Sequence, residues 1–97
     1  MRRVLIMTAF DADRPWRLHP QVAVRPESFG ALLYHFGTRK LSFLKDRTLL
    51  DVVRTLGDHA SVREAIEAQG VPAASTAPYV GAVRTLADSN MIQERDV

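Results

Sequence analysis

Three histidines and a close pair of aspartates are the side chains of this sequence best suited to chemistry, and their spacing argues against it. His19, His35 and His59 stand far apart, with no two at i and i+4, the local pairing from which helical zinc sites are built. His35 reads as a surface or boundary residue rather than a ligand. Asp11 and Asp13 lie two apart in a lead-in segment, a poor platform for acid–base work. There is no cysteine, which removes disulfides, iron–sulfur ligation, thiolate zinc sites and thiol nucleophiles, and agrees with a reducing compartment. Neither G-x-S-x-G, a glycine-rich phosphate loop nor H-E-x-x-H is present. The chain is therefore read as a non-enzyme, with no metal or cofactor of its own.

What remains to do chemistry is the backbone. The stretch A-L-L-Y-H-F-G-T-R-K-L-S-F-L-K-D, Ala31 to Asp46, reads as a β-hairpin with Gly37-Thr38 as a two-residue turn, Gly37 supplying the positive φ of a type II′ turn. Phe36 then faces Arg39, Tyr34 faces Leu41 and Leu32 faces Phe43. Leu32, Tyr34, Phe36, Leu41 and Phe43 fall on one face, expected as the core face. Leu33, His35, Lys40, Ser42 and Leu44 fall on the other, which is mixed. A two-stranded ribbon needs cover in water, and the helices downstream are the candidates.

Ahead of the hairpin, Val22 and Val24 start an alternating first strand, and Pro26 marks its end or an edge. The sheet is expected as a 1-2-3 meander with strand Lys40 to Lys45 at one edge. Trp16 is the sole tryptophan. It reads as a lid on a small core, with an anchor for a partner as the alternative. After the hairpin, Asp46 is a good N-cap for a helix carrying Leu49, Val52, Val53 and Leu56 and stopped by Gly57. Ser61-Val-Arg-Glu64 is a capping box for a second helix that Gly70 ends. Pro78 suits the first turn of a third helix, whose buried face is Tyr79, Val80, Val83, Leu86 and Ala87. Met91-Ile92 is expected to fold back on the core.

The expected fold is α+β and winged helix-turn-helix-like: a three-stranded antiparallel sheet followed by three helices, βββααα. Ninety-seven residues suffice for one domain, here residues 10–93, with residues 1–9 an ill-ordered extension and 94–97 a frayed end. The apolar run near the N-terminus is too short for a membrane helix, no convincing cleavage site follows it, and a cytoplasmic location without membrane association is expected.

A net charge of +2 with scattered basic residues does not by itself predict nucleic acid. A reading helix would present several basic or amide side chains, and the third helix offers Arg84 beside Asp88. A winged-helix DNA-binding regulator is the rival reading, and a purely structural subunit of an enzyme complex is a third. The edge flanked by Lys40 and Lys45 has two readings of its own. It is either a blunted edge, defended by lysine against aggregation, or a site where a peptide adds as a further strand. In the second case Leu41, Phe43, Leu44, Tyr79, Val83 and Leu86 line a groove, and the lysines with Arg84 attract an acidic peptide.

The runs R-P-W-R-L-H-P-Q-V-A-V-R-P-E, Arg14 to Glu27, and F-G-A-L-L-Y-H-F-G-T-R-K-L-S-F-L-K-D, Phe29 to Asp46, closely resemble the MftB family of mycofactocin-system peptide-binding proteins. The helical remainder looks like the wider PqqD-like family of RiPP recognition elements, and the match runs from Phe10 to about Gln93. The resemblance implies a small chaperone-like protein without catalysis of its own. Such a protein holds the acid-rich leader of a ribosomally made precursor and presents its C-terminal end, a Val-Tyr pair in that pathway, to a radical-SAM maturase. Iron–sulfur chemistry then belongs to that partner. Carried over, the leader site is Lys40, Leu41, Ser42, Phe43, Leu44 and Lys45 on the third strand, with Tyr79, Val83, Arg84, Leu86 and Ala87 on the third helix. The chain is expected as a monomer, with a strand-exchanged dimer open to it because the edge is free.

Overall fold

In the computed structural model, which describes residues 10–95, the chain enters through a tight turn held by Asp11. Its Oδ1 accepts the Asp13 N–H at 2.9 Å, and its carbonyl accepts both the Arg14 N–H at 3.2 Å and the Trp16 Nε1–H at 2.9 Å. Strand β1, Trp16–Leu18, follows. Trp16 is buried and packs against Phe10, ring centroids 5.0 Å apart, so it closes the core and leaves no free indole to anchor a partner. Residues 1–9, expected as an extension, lie outside the described residues.

The main sheet is the antiparallel meander β2 (Val22–Glu27), β3 (Gly30–His35), β4 (Leu41–Leu44), in that spatial order. Pro26 sits in β2 opposite Ala31. It is tolerated there because β2 is an edge strand. The register follows the expectation: Tyr34 faces Leu41 and Leu32 faces Phe43.

The turn and the faces do not. Gly37 has no positive φ; among the non-glycine residues of the loop Arg39 takes it, at 65°. The His35 carbonyl accepts the Arg39 N–H at 2.7 Å, and the His35 N–H donates to the Lys40 carbonyl at 3.0 Å, so four residues, not two, make the loop. The cause is the His35 imidazole. Its Nδ1 accepts the Gly37 and Thr38 N–H groups at 3.0 and 3.1 Å, capping the loop as a helix would be capped. Gly37 serves by its size, since a Cβ there would stand 2.9 Å from His35 Cε1 and 2.7 Å from Gln21 Oε1.

The faces are inverted. Ala31, Leu33 and Leu44 are in the core, with His35 beside them at 3% exposure, whereas Phe36, Leu41 and Phe43 are exposed at 61%, 58% and 66%. His35 is therefore interior, not boundary, and Phe43 is not a core residue. Both faces of the ribbon are apolar enough to be covered, and alternation alone does not say which face the helices take.

Helix α1, Arg47–Thr55, starts on its Asp46 cap, whose Oδ1 accepts the Leu49 N–H at 2.6 Å. It runs into a 3-10 turn, Leu56–Asp58, that contains Gly57. Helix α2, Val62–Ala68, is capped by Ser61 Oγ on the Glu64 N–H at 3.1 Å. The return leg of the box is displaced by one residue: Glu64 Oε1 accepts from the Ala60 N–H at 3.2 Å. Gly70, φ 81°, ends the helix as expected. Helix α3, Thr76–Asp88, carries Pro78 in its first turn. The three helices bury Leu50, Val52, Val53, Val62, Ile66, Val83 and Leu86, and the 3-10 turn adds Leu56, in one cluster with Leu33 and Leu44.

After α3 the chain does fold back, with Met91 and Ile92 fully packed. It then adds strand β5, Ile92–Glu94, which pairs antiparallel with β1, Leu18 opposite Ile92 and Trp16 opposite Glu94. Arg95 donates from Nη1 to the Gly57 carbonyl at 2.9 Å and from Nη2 to that of His59. Of the end expected to fray, 94–97, Glu94 closes β5 and Arg95 is anchored, while residues 96–97 lie outside the described residues. The architecture is α+β, but the described residues form five strands in two sheets, with β5 after the helices, in place of the expected βββααα order and its winged-helix arrangement. β1 and β5 have three residues each, too few to show an alternation in sequence.

Candidate functional site

β4 is the outer strand of its sheet, and among the described residues nothing pairs with its far side. Backbone alternation decides which groups are free. The His35 N–H donates to the Lys40 carbonyl, and with Ser42 opposite Leu33 and Leu44 opposite Ala31 that phase turns the N–H and C=O of Ser42 and Leu44 towards β3 and those of Leu41 and Phe43 outward. The edge thus offers two donors and two acceptors in extended spacing.

Beside this edge lies a groove of about 680 Å³ between β4 and α3. One wall is Leu41 to Asp46 with Leu49. The other is the α3 stripe Pro78, Tyr79, Ala82, Thr85 and Leu86, which recurs at helical spacing on one side. The floor is apolar: Leu44 and Leu86 are 1% and 3% exposed. At one end the Tyr79 hydroxyl meets Asp46 Oδ2 at 3.4 Å, joining the start of α3 to the cap of α1.

Of the residues expected at the site, Leu41, Ser42, Phe43, Leu44, Lys45, Tyr79 and Leu86 line the groove. Lys40 lies just before β4, at the end of the hairpin loop, outside the lining. Val83 is wholly inside the core and reaches no open surface. Arg84 points elsewhere, its guanidinium carbon 5.8 Å from the centre of the Phe10 ring. Ala87 packs against the core without lining the groove. Sequence reasoning missed Asp46, Leu49, Pro78, Ala82 and Thr85. In sequence Asp46 and Pro78 speak for capping and helix initiation alone, and Ala82 and Thr85 continue the i, i+4, i+7 row that Pro78 begins.

Two histidines that are distant in sequence do meet. The His19 and His35 rings lie 4.4 Å apart, and each uses Nδ1 to accept backbone N–H groups, His19 from Gln21 at 3.0 Å. Burial, then His35 and then Arg17 hold His19 below its ordinary pKa. His59 is elsewhere, at 3.3 Å from Glu64 Oε1. Among the described residues no three His, Cys, Asp or Glu side chains gather as metal ligands would, and no described helix is long and apolar enough to cross a membrane.

The molecule is thus a small α+β domain with an open sheet edge running along an apolar groove. Residues 15–93 match the Peptide chaperone MftB family, and the chain belongs to that family. It is 66% identical over 90 residues to the peptide chaperone MftB of Mycobacterium ulcerans, covering 91% of this chain and 83% of the relative. Against the peptide chaperone MftB of Mycobacterium tuberculosis it is 63% identical over 86 residues, 89% of this chain and 79% of the relative. The protein of that name in Mycolicibacterium smegmatis is 61% identical over 83 residues, 86% and 81% of the two chains. No solved structure matches the chain.

Proposed function

We propose that this protein is a peptide chaperone that captures the leader of a ribosomally made precursor by strand addition to β4 and presents it to a radical-SAM maturase. The supporting observation is the outward pair Leu41 and Phe43 on an edge that no described strand occupies, beside the groove to α3. A guest strand bonded to that edge places alternate side chains over Leu44, Leu49, Ala82 and Leu86. Its main chain supplies register and its side chains supply specificity. Lys40 and Lys45 at the two ends of β4 favour a guest with acidic residues flanking the bound run. The names of the relatives agree with a chaperone role, and catalysis is assigned to the partner. The protein works as a cytoplasmic monomer in this reading, and the DNA-binding alternative gains no observation, since the one basic residue of α3 is turned to Phe10.

The test is calorimetric titration of a synthetic acidic precursor ending in Val-Tyr. Strand addition requires every second guest amide, so N-methylation of alternate positions in the bound run abolishes binding in one phase and spares it in the other. Ala82→Glu, half-exposed in the wild type, closes the groove without emptying the core and weakens binding about tenfold or more. Equal tolerance of both methylation phases rules strand addition out.

A further inference from the structure

The outer face of the three-stranded sheet is left over once the groove is assigned. Phe29, Leu32, Tyr34, Phe36, Leu41 and Phe43 stand on it or at its margin, with four of the six exposed and Leu32 and Tyr34 half-buried. They associate in two couples: Tyr34 with Phe36 edge-to-face at 5.1 Å, and Phe29 with Phe43 at 6.3 Å. A continuous apolar face of this kind on a small domain marks a docking surface.

We infer that this face receives a folded protein partner whose own surface has an apolar centre and an acidic rim, and that the partner is the modifying enzyme of the proposed reading. Rim charge selects the class of occupant. Arg25 stands opposite Leu32 and pairs with the acid Glu27 at 3.0 Å, while Arg39 in the hairpin loop and Lys45 just after β4 are exposed, so the charge left over at the margin is positive. A second copy docked face to face would oppose these cations to themselves. A guest strand is too narrow: strands lie about 5 Å apart, so one added beside β4 reaches Leu41 and Phe43 but leaves the side chains of β3 and β2 uncovered. The two surfaces share Leu41 and Phe43, so an enzyme on the outer face would touch one side of the guest strand while the groove holds the other.

The inference rests on the reading of a guest passed to an enzyme, and its test separates the two. Phe36→Ser and Arg25→Glu alter positions that do not line the groove, and circular dichroism confirms that each variant folds. Binding of the purified radical-SAM enzyme and of the precursor peptide is measured separately for wild type and both variants. Enzyme affinity is expected to fall about tenfold or more for Phe36→Ser, and to fall with weaker salt dependence for Arg25→Glu, while peptide affinity stays within about twofold. If wild type binds the enzyme through Phe36 yet binds no precursor, the docking surface stands and strand addition falls. Unchanged enzyme binding in both variants overturns the inference. So does a dimer of the chain alone that Phe36→Ser dissociates. Shifts of the outer-face amides on deleting residues 1–9 would assign the face to the chain's own lead-in and overturn it equally.

Discussion

The imidazoles of His19 and His35 lie 4.4 Å apart, tilted by 46°, and join the start of β2 to the end of β3. Each Nδ1 accepts a backbone N–H, which requires that nitrogen to be unprotonated. The folded state lowers the His19 pKa from 6.5, foremost by burial and then through His35 and Arg17. The unfolded chain therefore binds more protons as pH falls. The stability associated with His19 is present above about 6.5 and is lost as pH falls through that value towards its folded-state pKa. Urea midpoints should drop between pH 7.5 and pH 5. His19→Asn keeps an acceptor for the Gln21 N–H and should flatten that drop; an acid limb identical to that of wild type would remove His19 from the account.

Neighbouring residues of β4 should respond in opposite ways. Leu44 is buried under the helices and Phe43 is two-thirds exposed. Leu44→Ala is expected to cost about 2–5 kcal/mol, the range for emptying a packed leucine site. Phe43→Ser should change stability by about 0.5 kcal/mol or less. Denaturant titration of both distinguishes this inverted face from the reading that puts Phe43 inside.

That inversion shows where the sequence was legible and where it was not. Caps and stops were readable because they are local chemistry: Asp46 on Leu49, Ser61 on Glu64, Gly70 at positive φ. The pairing of Tyr34 with Leu41 was readable from the hairpin spacing alone. Which side of the ribbon is covered is not local. It depends on three helices that could cover either apolar face, and the small Ala31 with Leu33 and Leu44 makes the closer fit. Turn chemistry misled for a related reason, since the loop is organised by a side chain, His35, rather than by Gly37. At the candidate site the β4 residues were legible as an edge. On α3 the buried stripe was legible, but the groove wall is rotated from it, so Val83 went inward and Ala82 took its place.

Asp46 joins stability to the groove. One carboxylate oxygen caps α1 and the other meets the Tyr79 hydroxyl. Asp46→Ala should destabilise by about 1 kcal/mol through the lost cap. Asp46→Asn keeps an acceptor for the Leu49 N–H and should recover most of that. If the Tyr79 contact sets the width of the groove, Tyr79→Phe should alter precursor affinity while leaving the urea midpoint within about 0.5 kcal/mol of wild type. Loss of stability in Tyr79→Phe comparable to that in Asp46→Ala would mean that the contact holds the helices together rather than shaping the groove.

Gly30 offers the sharpest backbone test of the open edge. It opens β3 at φ 153°, a conformation that side chains rarely adopt, and a Cβ there would lie 2.1 Å from the Leu44 carbonyl oxygen and 2.9 Å from the Asp46 N. Both contacts are backbone, so no rotamer relieves them. Gly30→Ala must push β4 away from β3 at the end where strand gives way to helix. The expected cost is about 1–3 kcal/mol from backbone strain alone, with the Leu44 pairing lost in addition. Because the displaced carbonyl belongs to the strand that carries the outward Leu41 and Phe43 groups, precursor affinity should fall further than the fraction of folded protein accounts for. Hydrogen exchange at Ala31 and Leu44, measured beside calorimetry, checks this: faster exchange with unchanged affinity per folded molecule would show that the guest does not use β4 at all.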